Sequence, residues 1–391
     1  MLAPHPHRAE FPHPPGLVYL NHAGVSPLPR RAAAAVRQAL ALLVEEGAAR
    51  YPVLDRIQED CRRVCARLLQ GDPERLAFVP NTSEGLSFIG LGLDWAAGDA
   101  IVTTDQEFPS NAVIWRDLAR RHGLEIITVP SLPDGGVAAE RLLAAVTPRT
   151  RVLAVSSVQF GSGAVVDLAQ LGAGLRGTEV LLVVDAIQGL GALPMAPDRL
   201  GIDALCADGH KWLLGPEGLG ILYLSPKALE RVTPRVLGWH SVANAGDYHT
   251  IITDPRPGAR RFEAGSPNLL GAAALGASVD LLLAAGPETV RDRVLALTAA
   301  LADGLRELGC TLHTPLDDQG HPRAGIVVFS HPGMATADLH RALRARGLFH
   351  AHRGAGLRYA PHYYQDGTDV ERALDFRAVL EGMAVSGGRT S

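Results

Sequence analysis

Cysteine is scarce in this 391-residue chain. Its four, Cys61, Cys65, Cys206 and Cys310, are too few and too scattered for a disulfide framework. Cys61 and Cys65 stand one helical turn apart in "DCRRVCARLL", but no second ligand pair follows at zinc spacing, so they read as helix cysteines. Long apolar runs are missing too: none approaches the roughly 18 residues of a membrane span. Excess charge of either sign is absent, with 37 Lys+Arg against 41 Asp+Glu and a formal net charge of −4. No basic run is long enough to form the stripe that a nucleic-acid binder needs. The opening "MLAPHPHRAEFPHPPG" has neither the cationic nor the apolar region of a secretory signal. A cytoplasmic location, with no membrane and no nucleic-acid partner, is therefore expected. In that setting the sequon Asn81-Thr82-Ser83 carries no meaning.

Apolar material, by contrast, is plentiful: 47% of residues are hydrophobic and 20% charged, enough for a large core and, at this length, two domains or one large one with an appendage. The runs "RLAFVP", "AIVTTD", "LEIITVP", "RVLAVSSV", "EVLLVVDA" and "GILYLS" alternate with helix-like stretches such as "SNAVIWRDLARRHG" and "AAERLLAAV". Strands apolar along their whole length are buried on both faces, which predicts an α/β core with a mostly parallel sheet sandwiched by helices. From Ser266 the texture changes to the Ala/Leu-rich helix "SPNLLGAAALGASVDLLLAAG", a second helix to about Leu308 and weaker strands. The expected organisation is an N-terminal arm (1–19) on the small domain, a large domain (20–265), and a linking helix with a smaller C-terminal α+β domain (266–391).

In open α/β sheets ligands bind beyond the carboxyl ends of the strands, and four such ends carry unusual residues. After "RLAFVP" come Thr82 and Ser83 before an apolar helical pattern, which is either an anion site at a helix N-terminus or an ordinary N-cap. "LLVVD" closes on Asp185, with Gln188 three residues on; a buried carboxylate there needs a cationic partner. Phe108 follows "AIVTTD" and either stacks on a flat ring or fills the core. Lys211, in "ADGHKW", falls between two buried strands, where a lysine is costly unless paired or used. A phosphate cradle, a carboxylate for a ring nitrogen, an aromatic face and a buried amine are together what pyridoxal 5′-phosphate asks for.

These residues resemble the class V aminotransferases, the fold type I group of pyridoxal-phosphate enzymes that includes cysteine desulfurases, isopenicillin N epimerase-like proteins and kynureninases. The resemblance spans the chain from "VYLNHAGVSPLP" to "LRYAPHYYQDGTDVERAL". It implies that "NTSEG" is the phosphate loop, that Asp185 meets the ring nitrogen with Gln188 near the ring hydroxyl, and that Lys211 in "DGHKWLLGPEGLG" carries the cofactor as a Schiff base. Asp208 and His210 fall where the family contacts phosphate. Many relatives have serine in place of Asp208, whose acid would act through its backbone or a water. "RFEAGSPN" resembles a motif whose hydroxyl reaches the neighbouring subunit's cofactor, which nominates Ser266 and implies a homodimer. Arg358 falls where the family grips the substrate carboxylate, and Asn21 and His22 are expected at the entrance.

Departures from the family narrow the chemistry. The stretch "FHAHRGAGLRYAP" is short and has no cysteine where desulfurases carry a sulfur-accepting loop, and Phe108 replaces their common histidine. A persulfide route is thus disfavoured, while direct β-elimination at a C–S bond stays open. His350 and His352 beside Arg353 read equally as substrate contacts or as satisfied side chains at a domain edge. "GAGLRG" (Gly172–Gly177) spells a dinucleotide fingerprint, but it follows a helix and precedes a strand, the reverse of the required order. The expectation is an aminotransferase acting on an amino acid or small amine, with a lyase or an epimerase as alternatives and a non-catalytic cofactor-binding protein behind them.

Overall fold

The computed structural model describes residues 2–376; the part of the expected C-terminal domain from 377 to 391 lies outside the described residues. A short strand β1 (Val18–Tyr19) precedes the seven strands of the large sheet. These are β2 (Leu76–Val79), β3 (Ala100–Thr104), β4 (Glu125–Val129), β5 (Thr150–Ser156), β6 (Leu181–Asp185), β7 (Ala204–Asp208) and β8 (Gly220–Leu224), in spatial order β2-β8-β7-β6-β5-β3-β4. Every pairing is parallel except the two that β8 makes, so β8 alone runs against the rest. The cause is the length of the 209–219 connection. It is shorter than the dozen or more residues of a parallel crossover, so the chain must turn straight back, and Lys211 sits in that turn.

Successive residues of β6 show why the inner strands are apolar throughout, whereas β4, at the sheet's edge, is only partly covered, against the expectation for its run. Leu182 and Val184 join one core with Leu153 and Val155, while Leu181 and Val183 join a second core on the opposite face with Val152 and Ala154. Cβ atoms alternate between the faces of a strand, so a sheet covered on both sides admits no polar alternation. Helices α1 (Arg30–Glu45), α2 (Tyr51–Leu68), α3 (Thr82–Gly92) and α4 (Ser110–His122) belong to this unit. The helix Leu269–Ala285 packs on α1 and α2 as a buried core element. Cys61 and Cys65 both lie in α2, and all four cysteines are buried free thiols. In "GAGLRG" the glycine serves packing: a Cβ at Gly172 would stand 1.9 Å from Leu200 O.

The smaller unit contains β9 (Thr311–Leu312), β10 (Val327–Ser330), β11 (Leu348–Phe349), β12 (Ala351–Arg353) and β13 (Gly356–Tyr359). Four of these form an antiparallel sheet in the order β12-β13-β10-β9, while β11 takes β1 as a parallel partner. The N-terminal arm thus docks on this unit, and Val18 and Leu20 share its core with Leu297, Phe329 and Tyr359.

A relay of neutral histidines fastens the arm further. Ala360 O can only accept, so His22 Nδ1 carries the proton (2.8 Å) and Nε2 accepts from the Tyr364 hydroxyl (2.9 Å), whose oxygen accepts from His13 Nε2 (3.1 Å). His362 Nδ1 accepts from Tyr363 N–H (2.9 Å), and its Nε2 donates to Trp212 O (3.1 Å). Burial pushes His22 well below the ordinary value of 6.5 and His362 down to about 4. The unfolded chain protonates these rings below pH 6.5 and the folded chain does not, so their contribution is complete above 6.5 and is lost as pH falls toward 4. Asp185, raised to about 7, acts with the opposite sign over much of this window. The informative measurement is therefore urea unfolding of wild type beside His362→Gln between about pH 7 and about pH 5. The variant's stability should depend less steeply on pH, by about 1.4 kcal/mol per pH unit for one proton; identical slopes would contradict the assignment.

Candidate active site

Six parallel strands bring their carboxyl ends to one edge of the sheet. From β3 the chain proceeds outward to β4, and from β5 it proceeds the other way through β6 to β7, so the topological switch point lies between β3 and β5. Lys211, Asp185, Thr82 and Phe108 all follow or end strands at this edge.

Lys211 is 8% exposed, and its Nζ lies 5.5 Å from the centroid of the Phe108 ring. Burial pushes its pKa down to about 8, helped by the charges of Arg358 and Arg353 and opposed by Asp185 and Asp208. Asp185, 1% exposed, accepts among the described residues only the Ile187 N–H (3.0 Å, at Oδ1). Burial pushes this carboxyl up to about 7, with Glu107 adding to the rise and the Ile187 bond and Lys211 opposing it. The lysine is thus closer to its neutral, nucleophilic form than an exposed amine, and among the described residues the carboxylate has no cation within ion-pair distance. Leu214, three residues beyond Lys211, adopts φ 58°, a strained value for a side chain of its size at a turn that carries chemistry.

The anion end is built on α3. The Asn81 side chain caps the helix by accepting from Glu84 N–H (2.9 Å), so Thr82 and Ser83 form its first turn. The cap and the hydroxyl cradle therefore coexist in one turn. Thr82 Oγ1 accepts from Asp208 N–H (3.0 Å), which ties α3 to the end of β7, and Ser83 Oγ meets Ser110 Oγ at 2.7 Å. His210 Nδ1 lies 3.1 Å from Asp208 Oδ2 but out of hydrogen-bonding alignment; that nitrogen and Asp208 Oδ1 are buried without partners among the described residues. A ring nitrogen of His210 left like this at a helix N-terminus suits an anion, whereas the Asp208 carboxylate can only accept, and its backbone N–H is already given to Thr82.

Arg358, on β13, is 2% exposed. Its Nη1 donates to Phe160 O (2.7 Å), and its buried Nε has no partner among the described residues. Burial, with Arg353 nearby, lowers it to about 10, so it stays cationic at neutral pH. Arg353 itself is exposed on the β12–β13 hairpin and donates to its own neighbour, His352 O (2.9 Å). Phe108, 38% exposed, meets Phe160 edge-to-face (5.0 Å, 80°).

Several expectations need correction. His22 is fully buried in the arm relay and lines no entrance; it shares its inward face with Leu20 because Asn21 bridges to Ala360 in extended form. Asn21 is half-buried, with Oδ1 unpartnered among the described residues. Gln188 is chiefly a brace: its Nε2 donates to Ala23 O (3.0 Å) and its Oε1 accepts from Trp212 Nε1 (3.0 Å), leaving one N–H for a ring hydroxyl. His350 and His352 do not act together, because the strand breaks between β11 and β12. His350 is buried against His340 Nδ1 (3.0 Å) and Leu348 O (3.0 Å), while His352 is exposed. Ser266 is exposed and lines a cleft with Pro80, Glu84 and Gly218 that does not include Lys211. Sequence reasoning did not single out Glu107, Phe160 or Trp212. The signal available for Glu107 was an acid beside Phe108 at a strand end.

The chain is similar to known proteins along most of its length. The family model described as aminotransferase class-V matches residues 18–358. Isopenicillin N epimerase of Streptomyces clavuligerus is 31% identical over 392 residues, covering 94% of this chain and 96% of that protein. A probable cysteine desulfurase of Pseudomonas putida is 29% identical, covering 96% and 98%. Among solved structures, a lysine-to-alanine mutant of C-DES with glycine covalently linked to the PLP cofactor superposes with a TM-score of 0.87 at 27% identity, covering 95% of this chain and all of that one. The complex of the cystine C–S lyase C-DES with cysteine persulfide superposes with a TM-score of 0.84 at 26% identity, covering 92% and 97%.

Proposed function

The chain belongs to the aminotransferase class-V family, and on that premise we propose that this pyridoxal-phosphate enzyme of amino acids is an aminotransferase. The observation that carries the reading is a buried lysine over an aromatic face, its Nζ 5.5 Å from the Phe108 centroid, at the same strand-end edge as a buried carboxyl held by one backbone donor. The residues present fit the cofactor: among the described residues Asp185 has no cation within ion-pair distance and His210 Nδ1 has no partner beside the first turn of α3, and Phe108 is part-exposed near Lys211. When bound, pyridoxal phosphate supplies an aldehyde for Lys211 and an electron sink for the substrate's Cα electrons.

The chain's own groups do the rest. Asp185 would keep a ring nitrogen protonated, and the α3 turn with His210 would hold a phosphate. Lys211 would be the base that takes the α-proton and returns it. Arg358 orients the substrate through its carboxylate. A second reading, β-elimination at a C–S bond, uses the same lysine and is favoured by the likeness to the C–S lyase. It proceeds without a protein persulfide, because all four cysteines are buried and burial pushes Cys310 up to about 11.

Product analysis with a panel of amino acids, each with and without a keto-acid acceptor, separates these readings. Acceptor-dependent amino transfer supports the first. Acceptor-independent release of ammonia and sulfide would replace it with the second. Arg358→Ala is expected to raise KM for α-amino acids about 100-fold, as loss of a charge-assisted bidentate contact does, with amines lacking the carboxylate little affected and Arg353→Ala milder. Equal losses for amines and amino acids would make Arg358 structural.

The proposal also pairs the chain with a second copy. Support comes from Ser266, exposed in a cleft that does not include Lys211, and from the exposed apolar side chains of Trp239, Tyr248 and Ile251 along the preceding segment.

A further inference from the structure

At the switch point, β3 and β5 part company. Their register runs only from Ala100 to Val102 on β3, and Val102 faces Leu153. The last residues of β5 therefore have no β3 ladder, although Ser156 still faces Asp185 on β6. An open N–H in this position needs another acceptor, and Glu107 provides it from the loop that follows β3. Glu107 Oε1 accepts from Ser156 N–H (2.8 Å) and Gln159 Nε2 (2.8 Å), and Oε2 accepts from Ser156 Oγ (2.5 Å) and Asn111 Nδ2 (2.8 Å). Asn111, fully buried at a non-helical kink in α4, in turn accepts from Trp115 Nε1 (2.9 Å).

One carboxylate thus binds three segments: the end of β5, the start of α4, and the loop whose next residue is Phe108. All four of its hydrogen bonds come from donors, so it has no proton to give and little acceptor capacity left. Its charge also opposes ionisation of Asp185, one strand away, which makes two carboxylates at one crevice costly unless a cation sits between or beside them.

We propose that Glu107 is a positioning residue: it stitches the Phe108 loop to the end of β5, and so sets the aromatic face and Asp185 at their working separation around the cofactor ring. Glu107 does this through Ser156 and Gln159, and it exchanges no proton with substrate. The proposal rests on the cofactor reading given above.

The test titrates apo-protein with pyridoxal phosphate, reading the dissociation constant and the visible circular dichroism that the bound cofactor acquires from its asymmetric surroundings. Glu107→Gln places an amide among four converging donors. It should weaken cofactor binding about tenfold or more, as orphaned buried polar groups do, and reduce the induced signal. Phe108→Ala should weaken binding in wild type, yet add little in the Glu107→Gln background, because the stitch acts through Phe108. Should Glu107→Gln not fold, Ser156→Ala and Gln159→Leu each remove one donor and keep the carboxylate; each should lower affinity by a smaller factor, again non-additively with Phe108→Ala. Wild-type affinity and dichroism in these variants, or full additivity with Phe108→Ala, would overturn the proposal. Failure of wild type to bind pyridoxal phosphate would instead overturn the cofactor reading.

Discussion

Lys211→Ala is expected to yield a folded protein that takes up pyridoxal phosphate only reversibly, loses it on dialysis and turns over at least about 10³-fold more slowly than wild type. Two roles disappear together: the covalent anchor and the base. The fold should survive, because the 209–219 turn is held by backbone bonds that do not involve the amine, such as Gly209 N–H to Leu219 O (3.0 Å) and Gly215 N–H to Gly209 O (2.8 Å). Removing a buried amine also relieves its desolvation, so thermal stability of the apo-protein should not fall. Absorbance after dialysis, turnover and apo melting temperature check the three parts. Near-wild-type turnover would end the assignment of Lys211.

Asp185→Ala is the second large effect. The carboxyl sits at the end of an apolar strand with one backbone donor, and burial has pushed it up to about 7. A pyridinium beside it would restore its charge and keep its own proton, the coupling on which the ring's electron-withdrawing power depends. Without that counter-ion the ring nitrogen is unprotonated at neutral pH. Turnover should then fall by about 10²–10³-fold or more, the loss typical of a preorganised electrostatic contact, and cofactor affinity should weaken. Asp185→Asn should fail nearly as badly, since an amide supplies no charge. The apo-protein offers an independent check: a buried carboxyl that costs desolvation energy is a liability until the cofactor arrives, so Asp185→Ala should leave the apo form as stable as wild type or more so. Turnover close to wild type in either variant would remove the ring-nitrogen role.

The parts of this account that were legible in the sequence share one physical property: each is a contrast within a short window. A charge that closes an apolar strand stands out, and Asp185 and Lys211 were visible for that reason. Strands buried on both faces advertise themselves, and β5, β6 and β8 lie where their apolar runs predict. Hydroxyls ahead of an apolar helix mark Thr82 and Ser83, although the capping atom belongs to Asn81. What escaped depends on partners distant in the chain. His22 looks like an entrance residue beside Asn21, yet its proton is fixed by Ala360 and Tyr364, more than 300 residues away. Gln188 kept its place but gave most of its amide to Trp212 and Ala23. Glu107 reads as an ordinary loop acid until β3 and β5 diverge and leave Ser156 in need of an acceptor. The reversed direction of β8 is written in the length of its connection and in no residue of the strand itself.

The most direct test is borohydride reduction of the holoenzyme followed by peptide mass mapping. The chain makes this unusually clean, because Lys211 and Lys227 are its only two lysines. Lys227 is already engaged, donating to Val180 O (2.6 Å) and lying 3.4 Å from Asp203 Oδ2. The account predicts one reduced cofactor adduct per chain, on the peptide that carries Lys211. An adduct on Lys227, or none on either lysine in a protein that binds pyridoxal phosphate, would contradict it.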